Sequence, residues 1–379
     1  MKYSDKKDVV VLAGCEPLSV LSLCRSACLQ GAKTYVVCVG NGWGAKYSGS
    51  SRVYKAYDTS LDDLDAFWER FFRENSFEQK PILYVTNDED CRRVDSKRTF
   101  YEEHFSLCLP SSYVIQSFTD KGKASVEAVR WGLVVPKTIG LESDSDIDAV
   151  CHDFTFPVIV KPLSSHDGKL AGFKMKVFEN ESALRTFVNP RLKSDARLQC
   201  QEYIPGEDKD YVFYQFYRDE KGHILACMGE KTMQTRGTMT VGTTRYNAEL
   251  DALCRDFLAK IDYVGIGGIE FKYCQGRYYF IEMSTRTEGF LSVSDMAGVS
   301  LAGISYEAMN GMMTDFTKNQ KEGVRYVVCK QYFYQIYKKQ GLISMMKHFI
   351  CAAFSPKAYF AGAFLDLCFA LKLDFKWIR

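Results

Sequence analysis

The chain has 379 residues, 49 basic against 47 acidic side chains and a net charge of +2, with 46% hydrophobic and 14% aromatic residues. That length supports two or three packed units. Balanced charge argues against a mainly nucleic-acid-binding protein, and the apolar content argues against a disordered one. Fourteen cysteines are scattered, without a C-x-x-C pair, and the polar opening Met1 to Lys7 carries no secretory pattern. Buried, reduced thiols in a cytoplasmic protein are the expectation.

In chain order, Asp8 to Ala13 is a β-branched run, Leu18 to Leu29 has helical apolar spacing, and Thr34 to Val39 is a second buried strand. Strand, helix and strand with short glycine turns predict a right-handed βαβ unit on a parallel sheet. A helix over Leu61 to Phe72 and a strand over Pro81 to Thr86 extend it. The lobe is Rossmann-like, but no G-x-G-x-x-G follows its first strand, so no dinucleotide site is assigned. A helix over Lys121 to Trp131 opens a second segment, strand-rich from Phe154 to about Asn310. From Lys321 on, ten Lys or Arg face only Glu322, Asp366 and Asp374, and the pattern is helical.

Four segments hold the residue types that phosphoryl transfer needs: cations for phosphates, oxygen ligands for a metal, and alignment. Asp120-Lys121-Gly122-Lys123 places lysine at a helix start, where an anion would account for it. Phe156 to Pro162 ends a β-branched strand on Lys161, followed by the small-residue stretch Ser164, Ser165, His166, Asp167 and Gly168. A loop of that kind can aim backbone N–H groups at phosphates, or it can be an ordinary hairpin turn. Gln201, Glu202, Tyr203 and Ile204 lead into Pro205-Gly206, with Asp208 beyond. Two strands joined by Gly276 each carry a glutamate between apolar neighbours, Glu270 and Glu282, and the second runs on to Ser284 and Arg286. Adjacent strands can bring such carboxylates together, and a shared divalent cation resolves their repulsion.

These motifs, in this order over about residues 119–300, resemble the ATP-grasp superfamily, closest to its carbamoyl-phosphate-synthase-like and D-aspartate-ligase-like carboxylate–amine ligases. The resemblance implies a mixed α/β fold: a Rossmann-like pre-ATP-grasp domain over 1–117, a two-lobed ATP-grasp domain over 118–312, and a helical, basic segment over 313–379. It implies ATP and Mg²⁺ as cofactors and ligation of small-molecule carboxylate and amine substrates through an acyl-phosphate, in an envelope or polysaccharide pathway. Lys121 and Lys161 would contact ATP phosphates, and Ser164 to Lys169 would be a mobile flap. Gln201 to Ile204 would read adenine and Asp208 would hold the ribose. Glu270, Glu282 and Ser284 would hold Mg²⁺, with Lys231 and Arg286 near the transferred phosphate or substrate. Serine at 284 replaces the family's usual asparagine, which leaves a weakly active or non-catalytic ATP-binding protein as the alternative. The basic tail, as in Gly341 to Phe354, suits either peripheral contact with an anionic membrane at its cytoplasmic face or a packed helix with a solvated face.

Overall fold

A computed structural model describes residues 6–14, 17–40, 42–163, 165–192, 195–235, 238–353 and 358–360. It is a mixed α/β structure with three sheets among those residues. The first sheet comprises β1 (Val9–Ala13), β2 (Thr34–Val39), β3 (Lys55–Thr59), β4 (Ile82–Val85) and β5 (Ser106–Leu107), in the order β3-β2-β1-β4-β5. All its pairings are parallel. β1 and β4 are fully buried, the state in which a strand reads as a continuous apolar run. The expected helix between β1 and β2 spans Pro17–Leu29. A helix at Leu64–Glu74 sends Leu64, Phe67, Trp68 and Phe71 into the core, where the Trp68 indole donates to the Tyr101 hydroxyl at 3.1 Å. Strand order reverses between β1 and β4, and there the Gly14 N–H donates to Thr86 Oγ1 at 2.7 Å.

A four-stranded sheet holds β6 (Thr138–Leu141), β7 (Val158–Pro162), β8 (Lys176–Phe178) and β9 (Leu198–Glu202), in the order β6-β9-β7-β8 and antiparallel throughout. One face of β7, Val158 and Val160, packs with Leu141, Ile147, Leu184 and Cys200. The stretch read as strand-rich also contains helices. Glu181–Val188 starts where Asn180 accepts from the Ala183 N–H, and Ala248–Lys260 starts where Asn247 accepts from Leu250. Both are N-caps that satisfy an otherwise orphan donor.

The third sheet has β10 (Tyr211–Arg218), β11 (Ile224–Thr235), β12 (Thr238–Thr244), β13 (Gly265–Cys274), β14 (Arg277–Ser284), β15 (Arg325–Val327) and β16 (Ala358–Phe360). Its order is β14-β13-β10-β11-β12-β15-β16. Gln275 and Gly276, with φ of 50° and 77°, form the two-residue turn between β13 and β14.

Contacts group the chain into two compact units that regroup the sequence segments. The first takes residues 1–115, 212–269 and 284–379, and the second takes 116–211 and 270–283. The expected C-terminal helix is present as Cys329–Ala353, interrupted at Gly341. Among the described residues, no helix is long and apolar enough to cross a membrane.

Candidate active site

In the second unit, the strand period separates two functions of β7. Val158 and Val160 enter the core, and Lys161 projects from the other face. Ile159 lies opposite Gln201 on β9, so Lys161 is the diagonal neighbour of Gln201. The Lys161 ammonium donates to Gln201 Oε1 at 2.7 Å, and Gln201 Nε2 donates to Thr138 Oγ1 at 3.2 Å. Burial pushes the Lys161 ammonium down to about 8; the positive charges of Lys121 and Lys272 add to that, and Glu282 opposes it. Lys121, Lys272 and Glu282, all of this unit, therefore act on the charge of Lys161.

Lys272 is the residue that sequence reasoning missed. It is buried on β13, its Nζ lies 4.5 Å from the Tyr211 ring centroid and 5.6 Å from that of Tyr203, and it donates to the Gly206 carbonyl at 3.4 Å. Burial lowers its pKa, with Asp210 and Asp208 acting the other way. The signal was available: on a strand, Lys272 shares a face with Glu270.

The expected helix at Lys121 spans Lys121–Arg130, and its N-terminus already holds a carboxylate. Asp120 accepts from the N–H groups of Gly122 and Lys123 at 3.0 and 3.1 Å. The stretch expected as a small-residue flap is corrected: Ser165–Ala171 is a helix. Its buried Asp167 accepts from the Arg197 backbone at 3.0 Å and pairs with the guanidinium at 3.3 Å. That tertiary anchor outweighs the loop preference of Ser and Gly. Gly168 lies within this helix, the side chains of Ser165 and His166 fall outside what the structure describes, and Ser164 lies outside the described residues.

Beyond β9, Glu202 is fixed from both ends: its N–H donates to the Lys137 carbonyl at 2.8 Å, and its carboxylate accepts from the Lys137 N–H at 3.1 Å. Among the described residues, the backbone N–H groups of Tyr203 and Ile204 make no hydrogen bond. Asp208 is exposed on the turn that follows Gly206. Of the glutamate pair, Glu270 is buried on β13, whereas Glu282 on β14 is exposed rather than enclosed by its apolar neighbours.

Three expected residues belong to the first unit. Lys231 is buried on β11 opposite Gly242, at a register shift before Met233. Such an irregularity re-aims a side chain. Ser284 is buried at the end of β14. Arg286 was expected to capture a phosphate or substrate carboxylate, but it has carboxylates of its own. Its Nε and Nη2 lie 3.0 and 3.4 Å from Asp88, and Nη1 lies 3.4 Å from Glu288. Burial alone would lower its pKa, and Asp88 and Glu288 more than offset that, holding it above its ordinary value. Asp88 begins the helix Asp88–Ser96, next to the strand-order reversal at β1 and β4.

A family model described as the carbamoyl-phosphate synthase L chain, ATP binding domain, matches residues 120–313, about half of the chain. The chain is 24% identical over 244 residues to a D-aspartate ligase of Enterococcus faecium, covering 59% of this chain and 57% of that protein. It is 28% identical over 202 residues to a D-alanine–D-alanine ligase of an Azoarcus strain, covering 50% and 64%. These matches span less than two thirds of the relatives' own lengths. Among solved structures, an ADP complex of N5-carboxyaminoimidazole ribonucleotide synthetase superposes with a TM-score of 0.66 at 17% identity, covering 84% of this chain and 80% of that one. A biotin carboxylase of Campylobacter jejuni gives 0.65 at 17%, covering 86% and 75%. Those likenesses establish a shared fold. The matched segment contains Lys121, Lys161, Lys272 and Glu282, so the ammonium cluster lies inside the nucleotide module: the chain belongs to the carbamoyl-phosphate synthase L chain ATP-binding family, within the ATP-grasp superfamily.

Proposed function

We propose that the protein is an ATP-dependent carboxylate–amine ligase that forms an amide bond through an acyl-phosphate, acting in envelope or polysaccharide biosynthesis. The observation that carries this reading is the Lys161 ammonium, held on Gln201 at 2.7 Å at the end of a buried strand with the charges of Lys121 and Lys272 acting on it. Cations held at such a cost favour a polyanion, and a nucleoside triphosphate supplies one. Lys121 and Lys161 take the phosphates. The unpaired N–H groups of Tyr203 and Ile204 face an adenine edge beside Gln201 and Glu202, and Asp208 takes the ribose. Ser164, Ser165, His166 and Gly168 complete the phosphate side.

Glu270, Glu282 and Ser284 supply oxygen donors that suit Mg²⁺, and an exposed Glu282 is available to a hydrated ion. When bound, that ion neutralises charge on the transferring phosphoryl group. The γ-phosphoryl group passes to a substrate carboxylate oxygen, giving ADP and an acyl-phosphate. The amine nitrogen then attacks the acyl carbon and expels phosphate, losing one proton. Lys231 and Arg286 stabilise the charge that develops on the acyl and phosphoryl oxygens.

The test is ADP release by the purified protein against amino acids, short peptides and sugar acids, with hydroxylamine trapping of the acyl-phosphate. Glu282→Gln is expected to abolish release while the fold is retained. Equal turnover in that variant would remove the assignment. A second reading, ATP binding without ligation, is favoured by serine at 284 and by the carboxylates that already occupy Arg286. Mg²⁺-dependent ATP binding without ADP release for any substrate pair would select it.

A further inference from the structure

Gly341 interrupts the C-terminal helix with φ 82° and ψ 178°, a conformation that glycine adopts without a Cβ penalty. The two halves fold back on each other. The Tyr332 hydroxyl lies 2.9 Å from His348 Nδ1, and the two rings are 5.9 Å apart, whereas an unbroken helix would separate these positions by about 24 Å. The inward side of this hairpin is apolar: Tyr332 and Ile336 are buried with Val241 and Val327, and Phe333 and Met345 pack against them.

The outward side is apolar as well. Tyr334, Tyr337, Leu342, Ile343 and Met346 are exposed, Ile343 at 76%. Leu342, Ile343 and Met346 follow the turn at helical spacing. Lys338, Lys339 and Lys347 are exposed among them, and Lys338 lies 5.1 Å from the Tyr334 ring centroid. Between Glu322 and Asp366 there is no acidic residue to oppose them. Single exposed apolar side chains are ordinary, but here five large ones fall between residues 334 and 346, on either side of the break at Gly341.

The composition of the patch selects its partner. Lysine is depleted at protein–protein interfaces, and acidic partners for a complementary rim are absent from this stretch. Aliphatic side chains, tyrosines and lysines together fit the boundary of an anionic bilayer. There the aliphatics enter the acyl edge, tyrosines sit at headgroup depth, and lysine stems reach along the surface with their ammoniums at lipid phosphates. We propose that the turn of the Cys329–Ala353 hairpin docks the protein peripherally on an anionic lipid surface. This attachment is independent of the ligase reading.

The experiment is co-sedimentation of the full chain with vesicles of phosphatidylcholine and phosphatidylglycerol at a ratio of about three to one, and with phosphatidylcholine alone. The full chain is expected to pellet with the anionic vesicles at low salt and to leave them as salt rises. A Leu342→Ser, Ile343→Ser, Met346→Ser variant is expected to stay in the supernatant with an unchanged melting temperature. A Lys338→Gln, Lys339→Gln, Lys347→Gln variant is expected to bind roughly a hundredfold more weakly, about fivefold per lysine. No pelleting of the unmodified chain at low salt overturns the proposal, as does pelleting that neither variant changes. Lipid-independent self-association that the serine variant abolishes also overturns it, because a second copy then covers the patch.

Discussion

The Lys161 ammonium donates to Gln201 Oε1 at 2.7 Å while Gln201 passes a hydrogen bond on to Thr138, so the amide of Gln201 is oriented by groups on both neighbouring strands. The relay fixes which way Lys161 points before any ligand arrives, and fixed donors are those that contribute most to phosphate binding.

Replacing Lys161 with methionine is expected to weaken ATP binding by on the order of ten- to a hundredfold, the worth of one charge-assisted hydrogen bond. The fold should tolerate the change, because repulsion from Lys121 and Lys272 disappears with the charge. Calorimetric titration with ATP reads the effect, and an unaltered affinity would place the nucleotide elsewhere.

The lowered value of about 8 for Lys161 has a pH consequence of definite sign. Between pH 8 and the ordinary lysine value of 10.5 the unfolded chain holds a proton that the native chain has released. Through this group, native stability therefore rises across that window as pH increases, and it is constant below. A bound polyphosphate favours the ammonium, so ATP binding at about pH 8 is expected to take up a proton. At pH 6 it should take up none through this residue. Titration heats in two buffers of different ionisation enthalpy measure this, and Lys161→Met should erase the buffer dependence.

Chelation with EDTA is expected to abolish ADP release, and added Mg²⁺ should restore it. Glu282→Gln should raise the Mg²⁺ concentration needed for nucleotide binding by roughly tenfold or more, equivalent to about 1.4 kcal/mol. Its melting temperature should be unchanged, since Glu282 is exposed. Ser284→Asn should increase turnover if the serine hydroxyl is the weak ligand. Metal-independent nucleotide binding in all three proteins would refute the carboxylate site.

The two glycines ahead of Glu270 should differ. A Cβ at Gly267 would lie 2.5 Å from the Tyr263 hydroxyl, 2.7 Å from Phe216 Cζ and 2.9 Å from the Ser284 carbonyl oxygen. Gly267→Ala is expected to cost about 1–3 kcal/mol in urea unfolding. At Gly268 the obstruction is the Glu288 side chain, 2.8 Å away at Cγ, which can swing aside. Gly268→Ala should cost less stability and act instead by loosening Glu288 from Arg286. Equal losses would contradict this ranking.

The parallel sheet was legible because β1, β2 and β4 are buried on both faces and so appear as unbroken apolar runs. β3 was not, since Lys55–Thr59 is a partly exposed strand at the sheet edge with no apolar run to announce it. The lysines and glutamates of the nucleotide motifs could be read from local spacing. The helix at Ser165–Ala171 depends on Asp167 meeting Arg197, a contact 30 residues away in sequence. Asp88 meets Arg286 across 198 residues, and no local pattern encodes such a partner.

The turn at Gln275–Gly276 belongs to a stretch, 270–283, that joins the second unit after the chain has spent residues 212–269 in the first. A fragment cut out as residues 116–211 would therefore carry Lys121, Lys161 and Gln201 but neither Lys272 nor Glu282. Such a truncated piece would keep the lysine that donates to Gln201 and lose the one carboxylate that counters its loss of charge. Only a polypeptide in which 270–283 is rejoined to that piece, by a linker or a rearranged chain order, would recover the full set of interacting charges.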